Sequence, residues 1–321
     1  MDLGKYYLEA AVLMRNSVLL GSLLYGTEVL NNLSAKDVKK LAKVDEDFWR
    51  NVLKTDHTVP KALIYLEIAI EDVDTIIKKR RLMFLKYILD QEEESLVKKI
   101  YLLQKRSPKK GDWINLVKED LNALNIDSSE KVIGSMSKKE FKDIVDKKAK
   151  DFALTKYNNM KKKIKRLKER SYFKFEIQNY LTQEGLLTKN QLQNVFKIRT
   201  ESLDIAAWKP FRFEGKKNCP FGCFEEEDLV HLTKKCPVTG RKEEINLSVF
   251  KDGRNSHIKK NIKIFGKILD FRNDVLKKIE AKEKERLLLQ KKEARKYSKN
   301  MKKMIGEGRK GGVYEGRILK V

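Results

Sequence analysis

Apolar residues recur at three- and four-residue steps along most of this chain, the spacing of helices that turn one face toward a core. The run from 5 to 24 is apolar enough to form one buried helix, although Arg15 and Asn16 interrupt it. Ser34, with Asp37 three residues on, has the form of a helix start whose side chains serve first-turn N–H groups. Behind it, Val38, Leu41, Val44, Phe48 and Val52 form the stripe expected to face inward. Pro60 suits the first turn of a further helix carrying Ala62, Leu63, Tyr65 and Leu66. A helix is expected over 74–89, with Ile76, Ile77, Phe84 and Ile88 inward and Lys78, Lys79, Arg80 and Arg81 partly outward. The turn-forming stretch SPKKGDW (107–113) precedes a helix near 114–124. Ser137 with Glu140 makes a second capping box, ahead of Phe141, Ile144, Val145, Phe152 and Ala153. That helix, or a pair, runs on into KKKIKRLKERSYFKF (161–175). Thr188 and Gln191 cap a last helix over 192–203.

No period-two alternation precedes residue 218, and no internal repeat marks a solenoid. The pattern therefore predicts a mainly α protein. A multi-helix bundle is expected over 1–205, a small module over 206–245, and a basic helical tail over 246–321. Within the tail, Lys, Glu, Arg and Leu dominate from Lys277 to Lys303, with a thin stripe of Leu287, Ala294, Tyr297, Met301 and Met304. That stripe suits an exposed helix and barely a coiled coil, and an isolated helix packing on nothing reads equally well. The glycine-rich end, GEGRKGGVYEGRILKV (306–321), is expected to be flexible.

Charge changes the picture. The 71 Lys and Arg exceed the 46 Asp and Glu, for a net charge of +25 over 321 residues. Such a surplus suits a polyanionic partner: RNA, DNA or an acidic membrane surface. No apolar run of about eighteen residues is present to cross a bilayer. The early apolar segment lacks a small-residue cleavage site and reads as a buried helix, not a signal peptide.

Candidate chemistry concentrates in NCPFGCFEEEDLVHLTKKCPVTGRK (218–242), which holds all three cysteines and one of three histidines. Cys219, Cys223, His231 and Cys236 fall in two close pairs, each short enough to sit on one tight turn around a metal. Pro220 and Gly222 allow the chain to bend sharply between the first two thiols. Three cysteines cannot all pair as disulfides, and no secretory leader precedes them, so a reducing compartment is expected. Four protein ligands with no open position predict a structural Zn²⁺. A redox pair and plain buried thiols are the competing readings. The acids from Glu225 to Asp228 read most simply as decoration of the module's surface. His57 and His257 stand alone and read as surface residues.

Several stretches resemble the region that follows the catalytic palm in reverse transcriptases of non-LTR (LINE-type) retrotransposons. They are MRNSVLLGSLLYGTEVLNNLS (14–34), VDEDFWRNVLKTDHTVPKALIYLEIAI (44–70), IIKKRRLMFLKYIL (76–89), KGDWINLVKEDL (110–121), MSKKEFKDIV (136–145), VFKIRTESLDI (195–205) and CPFGCFEEEDLVHLTKKCP (219–237). Together they span about three quarters of the chain, and their order makes the resemblance specific. Leu24, Tyr25, Gly26 and Glu28 match the family's Leu-Leu-Tyr-Gly-x-Glu segment. Departures are clear too. Three residues, not two, separate Cys219 from Cys223. The family's Glu-Leu-Gly becomes Glu67-Ile68-Ala69, and the second arginine of its Arg-Thr-Arg strip becomes Glu201.

The resemblance implies a thumb and linker bundle followed by a zinc knuckle. It also implies that the palm, with its Tyr-x-Asp-Asp hairpin holding two metal ions, would lie before this chain. No polymerase or nuclease activity is therefore expected. The expected function is RNA or DNA binding, with a separate palm-containing polymerase in trans as a further partner. A structural scaffold within a ribonucleoprotein or other large assembly is the alternative. Candidate contacts fall into three groups. The segment 156–175 carries nine basic residues against one acid, among them Lys161, Lys162, Lys163, Lys165, Arg166, Lys168 and Arg170. Its aromatics, Tyr157, Tyr172, Phe173 and Phe175, are candidates to stack on bases, or else to point into the core. Lys78, Lys79, Arg80 and Arg81 would grip a duplex backbone in the thumb reading. Arg199, Lys234, Lys235, Arg241 and Lys242 surround the zinc module. An intracellular location is expected, with the basic tail as a nuclear address.

Overall fold

The computed structural model describes residues 4–109, 111–163, 178–182, 187–205, 218–239 and 255–308. Side-chain caps start many of its helices. Ser34 accepts from the Asp37 N–H and opens α3 (Ala35–Leu53), which follows α1 (Gly4–Met14), a π-helical turn (Arg15–Leu19) and α2 (Leu20–Leu23). Pro60 precedes α4 (Lys61–Ile68) as its cap residue. Asp72 caps α5 (Val73–Leu89) and Ser95 caps α6 (Leu96–Arg106). Then come α7 (Trp113–Ala123) and α8 (Glu130–Ser135). Ser137 and Glu140 form a complete capping box for α9 (Lys138–Lys162), and Thr188 and Gln191 form one for α11 (Lys189–Arg199), after the short α10 (Asn179–Thr182). Each such cap satisfies N–H groups that would otherwise lack partners, worth about 1 kcal/mol. The last element, α12 (Asn255–Gly308), is one helix of 54 residues.

Among the described residues the chain is mainly helical. Extended backbone pairs among them in an isolated bridge between Asn218 and Glu226. No helix among them is long and apolar enough to cross a membrane. The glycine-rich end beyond Gly308 lies outside the described residues, while Gly306 to Gly308 continue α12.

α5 is the centre of one half. It packs against α3, α6, α7, α8 and α9, with Leu82 and Leu85 in a cluster that includes Trp113, Leu121, Phe141 and Val145. A larger cluster joins Leu8, Trp49, Leu66, Tyr157 and Phe196 to Leu232 and to Ile258, Ile262 and Phe265 of α12. One hydrophobic cluster thus crosses the boundaries expected at 206 and 246. The first part of α12 is core, and only the part beyond is a tail.

Two expectations change. In α3 the buried residues are Asp45, Trp49, Arg50, Val52 and Leu53, while Val44 is 45% exposed. Val38, Leu41 and Phe48 pack against the cores and Val52 is buried, as expected; the inward side also takes in Asp45, which receives Arg15 from across the bundle at 2.6 and 3.0 Å. Arg15 also donates to the Glu71 carbonyl at 2.8 Å. A hydropathy stripe cannot see a buried ion pair. Second, α6 occupies a stretch for which the periodicity specified no element.

The most remote buried pair lies between α4 and α11. Glu67 and Arg199 are both fully buried and ion-paired, and Tyr180 donates to Glu67 Oε1 at 2.8 Å. Arg199 donates to Gln178 Oε1 as well, at 3.0 Å. Burial pushes the Glu67 carboxyl up, and the Arg199 charge opposes that shift. Two residues later α4 ends on Ala69, at φ 56°, a left-handed conformation that costs a Cβ-bearing residue about 1 kcal/mol relative to glycine.

Arg199→Met should therefore leave an uncompensated carboxylate and cost about 3–5 kcal/mol in urea unfolding. Glu67→Met together with Arg199→Met should cost much less than the two single changes summed. Simple additivity would mean that the two charges do not stabilise one another. Ala69→Gly should raise stability by about 1 kcal/mol, since only the backbone strain changes. A loss of stability would show that the Ala69 methyl contributes packing.

Candidate metal centre

The segment 218–239 brings Cys219, Cys223, His231 and Cys236 together. Their ligand atoms all lie within 4.8 Å of one another. Cys219 Sγ is 3.9 Å from Cys236 Sγ, and Cys223 Sγ is 3.0 Å from His231 Nε2. Metal–sulfur arms of about 2.3 Å in a tetrahedron give edges of about 3.8 Å, which the Cys219–Cys236 spacing matches, while Cys223 and His231 lie closer together than the S–N edge of about 3.5 Å. Three thiols and an imidazole could hold a metal ion.

Local backbone explains the convergence. The Gly222 N–H donates to the Cys219 carbonyl at 3.2 Å, closing a tight turn between the first two thiols. Gly222 takes φ 79° there and Phe224 takes φ 60°, which lets the chain reverse within five residues. The Cys219 N–H then donates to the Glu225 carbonyl at 2.8 Å. His231 begins a π-helical turn (His231–Lys235), and the Cys236 N–H returns to the His231 carbonyl at 2.7 Å. The second ligand pair is thus held on one turn of helix.

The acids from Glu225 to Asp228 do more than decorate the surface. Glu225 Oε2 lies 3.0 Å from His231 Nδ1, which leaves Nε2 as the ligand atom beside Cys223. Asp228 accepts from the His231 N–H at 2.5 Å. Glu227 is buried and paired with Arg272 of α12, whose Nη2 donates to Oε2 at 2.7 Å. The clue was present in sequence: a carboxylate six residues before a ligand histidine can orient its ring.

The two buried thiols are not equivalent. Burial drives the Cys219 thiol up, reinforced by Cys223 and Cys236. Burial also opposes ionisation of Cys236, but hydrogen bonds from Thr239, from the Val238 backbone and from Cys219 outweigh it and bring Cys236 down to about 7. Of the two, Cys236 ionises the more readily.

The other candidates meet different fates. Lys78 lies 3.2 Å from Asp120 and 3.4 Å from Asp74. Lys79 lies 2.8 Å from Glu71 and 2.7 Å from Asp146. Arg80 donates to the Leu24 carbonyl at 2.6 Å, and Arg81, buried, pairs with Asp120 at 2.6 Å. This basic run therefore faces partners inside the bundle, which corrects the picture of a free backbone grip. Arg199 is buried on Glu67 and is no surface contact. Lys234 and Lys235 are exposed beside Cys236, as are Lys162 and Lys163 at the end of α9, with Lys161 half-buried. Tyr157 packs in the core, 5.5 Å from Tyr65 between ring centroids, so it cannot stack on a base. Lys165, Arg166, Lys168, Arg170, Tyr172, Phe173, Phe175, Arg241 and Lys242 lie outside the described residues. His57 is exposed, with Nδ1 3.4 Å from Lys43 Nζ, and the side chain of His257 is outside the description.

Metal analysis should give one ion per chain, and Cys236→Ser should lose it. Glu225→Gln should weaken metal binding by about 10–100-fold, as expected of a partner that orients a ligand histidine. An unchanged affinity would remove Glu225 from the site. Because Leu232 sits in the larger core cluster, chelation should also loosen the start of α12, read as protease sensitivity near residues 255–272.

No protein-family model, no curated protein and no solved structure matches this chain.

Proposed function

We propose that this chain is a non-catalytic nucleic-acid-binding module of the kind that follows the palm in retrotransposon reverse transcriptases, carrying one structural Zn²⁺. The net charge carries the first part of this reading. Pairing charges inside the fold does not alter their sum, so it cannot reduce a surplus of +25. Every cation in excess must sit where solvent or a polyanion can neutralise it. Lysines spread over a helical surface suit phosphates, with little base discrimination.

Zinc is favoured by the donors. Thiolates and a neutral imidazole in a tetrahedral arrangement suit a borderline-soft ion and disfavour magnesium or calcium. With four protein ligands the ion would hold the turn and activate no water. Asp45, Glu67 and Asp120 are each paired with a buried arginine, and a carboxylate so committed is a poor ligand for a catalytic metal pair.

The resemblance gains support from two contacts. Glu67 and Arg199 belong to separate stretches that carry it, and they pair in the core. Ala69 stands where the family has glycine, and its left-handed backbone explains why glycine suits that position. The scaffold reading draws on a different observation. Beyond the core, α12 exposes Leu287, Leu288, Leu289 and Tyr297 among the described residues, as a helix awaiting a protein partner would.

The deciding experiment is binding of duplex and single-stranded nucleic acid as a function of salt. Affinity should fall steeply, the slope of log K against log salt counting the phosphates neutralised. Charge reversal at Lys162, Lys163, Lys234 and Lys235 should lower that slope for all sequences alike. Absence of binding to either form at about 50 mM salt would transfer the case to the scaffold reading.

A further inference from the structure

Between α5 and α9, beside the turn that follows α2, lies a cleft of about 600 Å³, within the usual size range of small-molecule sites. Its floor is electrically settled. Lys79 is held between Glu71 and Asp146, and Arg80 is turned to the Leu24 carbonyl with Glu28 at 3.9 Å. Three other features of the cleft are unsettled, and they point the same way.

The first is a pair of cations. Lys138 and Lys142 line the cleft one helical turn apart, both exposed. Neither has a carboxylate within ion-pair distance among the described residues. Like charges at this spacing repel, and an anion placed between them relieves that repulsion. The second is an aromatic step. Phe84 and Tyr87 stack with centroids 5.8 Å apart and planes at 20°. Tyr87 is the outer ring and is 49% exposed, so a planar group can continue the stack on its face. The third is an unmet acceptor. Glu28 Oε2 is shielded from solvent and makes no hydrogen bond, with the Arg80 guanidinium at 3.9 Å too far to donate one, and Glu28 lines the cleft. A buried acceptor without a donor is unfavourable, and a ligand N–H would remove the deficit.

An anion, a flat ring and an N–H donor occur together in a nucleotide. We propose that this cleft binds one unstacked nucleotide, its base on Tyr87 with an N–H toward Glu28, and its phosphate between Lys138 and Lys142. The assignment rests on the nucleic-acid reading above and refines it. A base paired within a duplex has both faces covered by its neighbours, so the cleft selects single strands. The same chemistry could come from a free mononucleotide, and the test separates the two sources.

The test measures fluorescence anisotropy of the full zinc-loaded chain. The probes are a labelled single strand of about 12 nucleotides and the matching duplex, with AMP as competitor. Tyr87→Ala and the pair Lys138→Glu, Lys142→Glu should each weaken single-strand binding by about ten-fold. Tyr87→Phe should keep it, because the ring is retained. Tyr87→Ala should leave duplex binding alone, whereas charge reversal should weaken it no more than the same reversal at Lys36 and Lys39 of α3. Displacement of the strand by AMP would support the cleft with a free nucleotide as its source, and resistance to AMP would support it with a strand. If the chain binds nucleic acid but Tyr87→Ala and the double reversal leave single strands unaffected, the cleft assignment is overturned and the general function stands. If the chain binds neither form, the general function falls, and the cleft assignment with it.

Discussion

A chain with far more cations than anions can bury an arginine only by giving it a carboxylate, and this constraint organises the fold. Arg15 meets Asp45, Arg81 meets Asp120, Arg199 meets Glu67 and Arg272 meets Glu227, all buried. Each pair joins segments far apart in sequence, the closest separated by 30 residues and the most remote by 132. An unpaired ion at any of these sites would cost several kcal/mol, far more than a poorly packed methyl group. Alternative helix registers would break the pairs, so they act as locks on the arrangement. Their net contribution to stability is smaller than that penalty, because bringing two ions out of water takes back most of the attraction.

This arrangement sorts basic residues that look alike in sequence. Lys78 to Arg81 and Lys161 to Lys163 are both short basic runs at helical positions. The first lies on α5, which is covered by five other helices, and its charges are taken up by Asp74, Asp120, Glu71 and Asp146. The second lies at the C-terminal end of α9, where Lys162 and Lys163 are exposed. Nothing local separates the two. Asp74, one turn before Lys78, hints at internal pairing, but Asp120 and Asp146 come from other helices and are visible only in the fold.

The same reasoning explains which features were legible. The capping boxes at Ser137 and Thr188 are contacts within four residues, so sequence and structure agree there. The four ligands were legible because cysteine and histidine are scarce in this chain and sit on two turns. The full buried face of α3 was not legible. Val38, Leu41, Phe48 and Val52 of the apolar stripe do pack inward, but Asp45 and Arg50 are buried and polar, and a hydropathy pattern does not report them. Glu225, Glu227 and Asp228 were visible but indistinguishable from surface acids. What separates them is His231 for two of them and Arg272, which enters from a helix 45 residues away, for the third.

That last contact ties the metal-ligand segment to the terminal helix. Phe221 stacks on Phe271 at 5.5 Å with planes 8° apart. Glu227 grips Arg272, and Leu232 shares the core with Ile258, Ile262 and Phe265. Phe221 and Glu227 flank the ligands Cys223 and His231, so whatever fixes the ligand set also fixes the seat of α12. Beyond Lys277 the described side chains of α12 are all exposed. A helix rises about 1.5 Å per residue, so the stretch to Gly308 extends for about 48 Å. Its direction is set where it leaves the core, beside Phe271 and Arg272. A small change of angle at that seat moves the far end by many ångströms. The Cys/His turn therefore packs against the point where the long charged arm leaves the core, so rigidity in the one is transmitted to the direction of the other.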